Sequence, residues 1–165
     1  MKPNGRPIRQ TSLIRPECAT VLKNQHNTRL NENAWQPEGT DMANKILVVD
    51  DEPNIVLSLE FLMKQAGFQV RTASDGEAAL AAIAAEPPDL VLLDVMMPRK
   101  NGYEVCQAIR ANPAWKGTRI IMLTAKGREV EREKGLALGA DDYITKPFST
   151  QEVVERVREL LAEAD

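Results

Sequence analysis

The chain has one histidine, two cysteines and no long apolar run among its 165 residues. His26 stands alone in a polar stretch, and a lone histidine there reads as solvated rather than catalytic. Cys18 and Cys106 lie in very different contexts, so nothing suggests a disulfide framework, and a reducing, cytoplasmic setting is the natural reading. Cys106 falls among helical apolar positions and reads as a small core residue. No run approaches the roughly 18–20 apolar residues of a membrane span. The N-terminus lacks the apolar block of a secretory signal. There is no Walker loop and no Gly-x-Gly-x-x-Gly motif.

Charge of either sign is also scarce in the net, at −3 overall, so nothing global points to nucleic acid. The charge is uneven. Residues 1–43 carry six Lys/Arg against four Asp/Glu, whereas residues 44–165 carry 15 against 20. The first segment is rich in Asn, Arg, Gln, Thr and Pro, and its apolar residues are scattered. Thr20-Val21-Leu22 and Trp35 are too isolated to start a core. Residues 1–43 therefore read as a disordered leader, with a partner-binding arm as an alternative and translation from Met42 as another. Residues 44–165 read as the folded domain, of 43% hydrophobic overall composition.

That domain is organised around Leu90-Val91-Leu92-Leu93-Asp94. A short unbroken apolar run predicts a strand buried on both faces, as in a parallel sheet. Asp94 then stands at the strand's carboxyl end, where such sheets hold their ligands. Alone it could equally start a turn. A second run, Lys45 to Val49, ends in Asp50-Asp51-Glu52-Pro53. Side by side, the two strands bring Asp50, Asp51 and Asp94 together, and three carboxylates repel unless a cation sits among them. Oxygen ligands with no nearby histidine or cysteine suit Mg²⁺ or Mn²⁺.

The remaining pattern alternates strand and helix. Helices are predicted over Pro53 to about Ala66 (apolar face Ile55, Leu59, Leu62 and Ala66), Asp75–Ala85, Tyr103–Ala111, Arg128–Leu138 and Thr150–Ala162. Further strands fall at Gln69–Ala73, Arg119–Thr124 and Asp142–Thr145. The chain is thus α/β, a doubly wound five-stranded parallel sheet with helices on both faces. The strand order 2-1-3-4-5 fits this length and makes strands one and three neighbours at the switch point. Thr124 and Lys146 end strands four and five at the same edge. An aspartate that accepts a phosphoryl group needs a cation, a positive charge at the phosphoryl oxygens and a hydrogen-bond donor. Mg²⁺ between Asp51 and Asp94, the Lys146 ammonium and the Thr124 hydroxyl supply these.

The ordered set Val-Val-Asp50-Asp51, Leu-Leu-Asp94-Val-Met-Met-Pro98-x-x-x-Gly102, Leu-Thr124-Ala125 and Gly-Ala-Asp-Asp-Tyr143-Ile-Thr-Lys146-Pro147-Phe148 resembles the receiver domain of two-component response regulators. The resemblance runs from residue 45 to about 162 and implies a flavodoxin-like fold. It implies that Asp94 takes a phosphoryl group from a phosphohistidine on a sensor histidine kinase or phosphotransfer protein. It implies Mg²⁺ on Asp51 and Asp94, with Asp50 acting through water and the Met96 backbone carbonyl as a further ligand. Lys146 would contact the phosphoryl group, and Thr124 and Tyr143 would form a switch pair. The resemblance also implies no enzyme activity beyond self-phosphorylation and self-dephosphorylation.

The chain stops after the fifth helix, which points to a stand-alone switch acting through a downstream protein partner, without direct nucleic-acid or membrane binding. Asp142, Glu152 and Arg156 could serve a symmetric dimer face. Two other classes compete. A Mg²⁺-dependent phosphohydrolase with an aspartate nucleophile would want Asp-x-Asp on the first strand and a cap domain. A flavodoxin-like flavin binder would want a Ser/Thr/Gly-rich phosphate loop where Asp50-Asp51-Glu52-Pro53 stands. Asp50 could instead cap the first helix, and the run from Arg128 to Lys134 could be a solvated helix face.

Overall fold

Five parallel strands form one sheet in the order β2-β1-β3-β4-β5. They are β1 (Lys45–Val49), β2 (Gln69–Ala73), β3 (Leu90–Asp94), β4 (Arg119–Ala125) and β5 (Asp142–Lys146). The helices between and after them are α1 (Pro53–Gln65), α2 (Gly76–Ala85), α3 (Gly102–Ala111), α4 (Glu129–Ala137) and α5 (Thr150–Ala162), and a 3₁₀ turn spans Pro113–Trp115. This computed structural model describes residues 43–125 and 129–163. Cys18, Thr20 to Leu22, His26, Trp35, Met42 and Arg128 lie outside the described residues, and with them the expectations placed on the leader.

The local signals explain the boundaries. Pro53 opens α1 at a position whose amide has no helical partner. Gly67 follows its C-cap at φ +95°, a backbone that side-chain-bearing residues rarely adopt. Asp75 caps α2 by accepting from the Ala78 amide at 2.8 Å. Asn101 and Glu104 form a reciprocal capping box on α3. Ser149 caps α5 through the Glu152 amide. Several expected details shift: α2 and α3 open at Gly76 and Gly102 instead of Asp75 and Tyr103, and α4 ends at Ala137 instead of Leu138. The α1 stripe buries Leu59 and Met63 completely, while Ile55 and Leu62 pack only in part, because Met63 follows Leu59 by one turn. Strand four runs through Ala125 and strand five through Lys146, one residue longer each, because the ladder pairs those two residues with each other.

β3 is buried at all five positions, as the unbroken apolar run requires. Two apolar clusters lie on opposite faces of the sheet. One gathers Val91, Leu93, Ile83, Val105, Cys106 and Ile109; the other gathers Ile46, Leu92, Leu59, Met63, Val153 and Val157. Cys106 is wholly buried, and that burial pushes its thiol up from the ordinary range. α4 differs from the rest, with Gly135 its only buried residue among those described.

At the amino-terminal edge of the sheet, Asp141 gathers three donors. Its carboxylate accepts from the Ile120 amide at 2.7 Å, from Arg110 at 2.7 Å and from Arg119 at 3.1 Å. Arg110 also donates to the carbonyls of Gly139 and Thr118. Asp141→Ala leaves these groups without their acceptor and is expected to cost about 2 kcal/mol in a urea titration.

Candidate functional site: an acid cluster with one lysine at the switch point

The strand order reverses between β1 and β3, and that pair defines the edge where the acids collect. The register pairs Val49 with Leu93, so Asp50 and Asp94 are the next residues out on neighbouring strands. Asp94 pairs with Leu123, which sets Thr124 one step beyond it on β4. Thr124 and Ala125 pair with Thr145 and Lys146 on β5. Four parallel strands thus deliver Asp50, Asp94, Thr124 and Lys146 to one edge.

The carboxylates of Asp50, Asp51 and Asp94 lie within 4.8 Å of one another. Asp50 is wholly buried, Asp94 is 5% exposed and Asp51 is open to solvent. The Lys146 ammonium lies 2.7 Å from Asp50 and 3.1 Å from Asp94. A third carboxylate, Glu52, stands 3.5 Å from it. Asp50 is held from a second side, since one of its oxygens accepts the Glu52 amide at 2.9 Å. Asp50 therefore does not cap α1, whose N-cap is Glu52 with no side-chain cap; it closes a turn onto the Glu52 amide and pairs with Lys146 instead.

The electrostatics are unbalanced. Burial, then the charge of Asp50, push Asp94 up to about 6 even though Lys146 pulls it down and Asp51 adds a smaller upward push. Burial works against the Lys146 ammonium, but its bonds to Asp50 and Asp94 outweigh that and raise its pKa. Among the described residues, the one half-buried lysine paired with these acids does not neutralise them. An oxygen-only donor set with surplus negative charge is what a hard divalent cation requires, so these residues fit Mg²⁺.

Thr124 is 3% exposed, beside the cluster. Tyr143 is half-buried on β5, and the Arg132 guanidinium of α4 lies 4.1 Å from its ring centroid. Met96 follows Asp94 by two residues, its side chain 58% exposed. Asp142 pairs within the chain with Arg156 at 2.9 Å. Three contacts around the site carry no local signal in the sequence. Glu52 was seen only as part of an acidic run, and nothing local signals that it reaches Lys146. Arg99, at φ +66°, pairs with the buried Asp75 at 3.1 Å and ties the loop after Asp94 to the start of α2. Gly102 packs against the backbone of Asp94 itself; it was noted for its motif, not for that contact.

A doubly wound 2-1-3-4-5 domain with an acid cluster and a lysine at its switch point belongs to the class of flavodoxin-like signalling receivers. Residues 46–158 match the response regulator receiver domain family, and the chain belongs to that family. It is 49% identical over 124 residues to the alkaline phosphatase synthesis transcriptional regulatory protein PhoP of Bacillus subtilis, a match covering 75% of this chain and 51% of that protein. The chain thus spans about half the length of that curated relative. Among solved structures it superposes on a response regulator from Chloroflexus aurantiacus with a TM-score of 0.71 at 40% identity, covering 73% of this chain and 98% of that one. It superposes on the chemotaxis response regulator CheY4 of Vibrio cholerae with a TM-score of 0.69 at 32% identity, covering 72% and 99%. The five-stranded fold expected from the sequence is the fold observed. Domains of this family are signalling modules of two-component systems.

Proposed function

We propose that residues 44–165 form a receiver, preceded by residues 1–43 as a leader, whose Asp94 accepts a phosphoryl group from a phosphohistidine on a sensor histidine kinase or phosphotransfer protein. One observation carries this reading: an ammonium 3.1 Å from a buried carboxylate that two further carboxylates crowd. A carboxylate oxygen of Asp94 forms the new bond to phosphorus as the phosphorus–nitrogen bond breaks. The electron pair of that bond stays with the imidazole. The Lys146 ammonium moves its hydrogen bond from the Asp94 carboxylate to the phosphoryl oxygens. The Thr124 hydroxyl donates to the same oxygens. Asp50 anchors Lys146 from below throughout, since it is fully buried and bonded on both oxygens. Positioning and charge neutralisation carry such transfers, so little else is asked of the protein.

Asp51 and Asp94, with the Met96 carbonyl and Asp50 through water, would hold Mg²⁺, or Mn²⁺ in its place. Bound there, the cation offsets the negative charge that builds on the phosphoryl oxygens. Millimolar Mg²⁺ is expected to raise the melting temperature of the wild type by a few degrees through binding to the folded state alone. Asp51→Asn should remove most of that rise. An equal rise in the variant would place the cation elsewhere.

Once phosphorylated, the site draws Thr124 inward and leaves room for the Tyr143 ring, which reshapes the surface of α4, β5 and α5. The shift biases two pre-existing states through their different contacts. The reshaped surface signals to a protein partner in the cytoplasm. The Asp142–Arg156 pair favours a second outlet, a phosphorylation-dependent homodimer, in which the two partners exchange across copies. Direct nucleic-acid binding is not assigned to this domain. Incubation with Mg²⁺ and acetyl phosphate followed by intact mass tests the reading. One acid- and base-labile phosphoryl group per chain is expected. Many turnovers per chain would favour a phosphohydrolase, and a retained flavin would favour the flavin binder.

A further inference from the structure

We infer that Glu52 sets which phosphodonors the site accepts, its carboxylate beside the Lys146 ammonium discriminating against small, highly anionic donors. The inference rests on the phosphoacceptor role of Asp94. Lys146 offers three N–H donors. Its nitrogen donates to Asp50 at 2.7 Å and lies 3.1 Å from an Asp94 oxygen and 3.5 Å from a Glu52 oxygen. The three acids differ in freedom: Asp50 is fully buried, Asp94 nearly so, and the Glu52 side chain is 64% exposed. Glu52 is therefore the solvent-side cover of the ammonium.

The surroundings sharpen this. Glu52 and Lys146 share the wall of an open cavity of about 540 Å³, whose other lining includes Ile55, Pro147 and Phe148. Among the described residues of that lining, Lys146 is the only cationic one. Among the described residues, an anion drawn to the Lys146 ammonium from this cavity meets the exposed Glu52 carboxylate beside it, and that ammonium is already shared among three acids. Glu52 occupies the N-cap position of α1 without capping it through its side chain. Its structural bonds are all made by backbone: its amide donates to Asp50, and its carbonyl accepts from Ile55 and Val56. The carboxylate is thus spare for electrostatics, and Glu52→Gln keeps every one of those backbone bonds.

A protein phosphodonor offsets this repulsion with its docking surface, whereas a free small molecule has only its charge. Acetyl phosphate is a dianion near neutral pH; phosphoramidate carries one negative charge fewer. With acetyl phosphate, the Asp94 oxygen bonds to phosphorus as the bond to the acetyl oxygen breaks and acetate leaves with the electron pair. With phosphoramidate the phosphorus–nitrogen bond breaks and ammonia leaves with the pair.

The test compares initial labelling rates of wild type and Glu52→Gln with each donor, in Mg²⁺, by intact mass. Glu52→Gln is expected to gain about threefold with acetyl phosphate and clearly less with phosphoramidate, on the scale of one partly exposed charge pair. The difference between donors should shrink as salt is raised to about 0.5 M, where screening is strong. Glu52→Lys should enlarge the gain with acetyl phosphate. Equal changes with both donors would mark a merely structural role, and unchanged rates would overturn the inference. A wild type labelled by neither donor would instead sink the phosphoacceptor reading itself.

Discussion

Asp94→Asn should abolish labelling by acetyl phosphate and at the same time make the Mg²⁺-free domain more stable near neutral pH. The first effect follows from removing the nucleophilic oxygen. The second follows from the crowding of the acids. Folding raises Asp94 from its ordinary 3.8 to about 6, through burial first and Asp50 second. A carboxyl group raised in the folded state holds its proton more tightly there than in the unfolded chain. Its favourable contribution is full below about pH 4 and is lost as pH rises through about 6. The loss is at most about 3 kcal/mol at 1.36 kcal/mol per pKa unit. The asparagine variant has no charge to bury, and its side-chain oxygen can still accept from Lys146. The stability gap between variant and wild type should thus open between pH 4 and 7 and narrow when Mg²⁺ is added to the wild type. Urea midpoints across that range measure it. A gap that stays flat with pH would mean that Asp94 titrates normally.

The second large effect concerns a residue with no side chain. Gly102→Ala should both destabilise the domain and cut the labelling rate about a hundredfold. Gly102 opens α3, and its amide donates to the Val95 carbonyl at 3.0 Å. A Cβ added there would overlap the Asp94 carbonyl oxygen and sit 3.0 Å from both the Asp94 carbonyl carbon and Val95 Cα. All three obstacles are backbone, so no side chain can rotate away. The helix start or the Asp94 peptide must move instead, at a cost of about 1–3 kcal/mol. A shift of the Asp94 peptide displaces the nucleophile relative to Lys146, and geometry of that kind is worth orders of magnitude in rate. Gly117→Ala is the control, since nothing lies within 4 Å of a Cβ there. If the two alanine variants behave alike in the urea titration and the labelling assay, the close approach at Gly102 has no consequence.

Much of this could be read from the residues alone, for a local reason. Strand and helix periods are set by backbone geometry within a few residues, so Leu90 to Asp94 and Thr150 to Ala162 announce themselves. Alternation of such elements leaves few topologies, and a parallel sheet puts every strand's carboxyl end on one edge. Those rules alone bring Asp50, Asp94, Thr124 and Lys146 to the same edge, and the observed register does so. On α1 the expected face of Ile55, Leu59 and Leu62 does pack on the core, and Met63, one turn after Leu59, joins it.

Other features belong to the folded molecule only. Asp94 rises to about 6 because the sheet and its neighbours exclude water from it, and no stretch of sequence encodes burial by distant segments. Lys146 meets Asp50 across 96 positions of chain. Glu52 reaches Lys146, Arg110 reaches Asp141 and Gly102 presses on Asp94 because β1, β3, β4 and β5 are stacked at one register. Periodicity decides what each segment is; contact at the level of single atoms depends on how the segments are set against each other, and that is a property of packing.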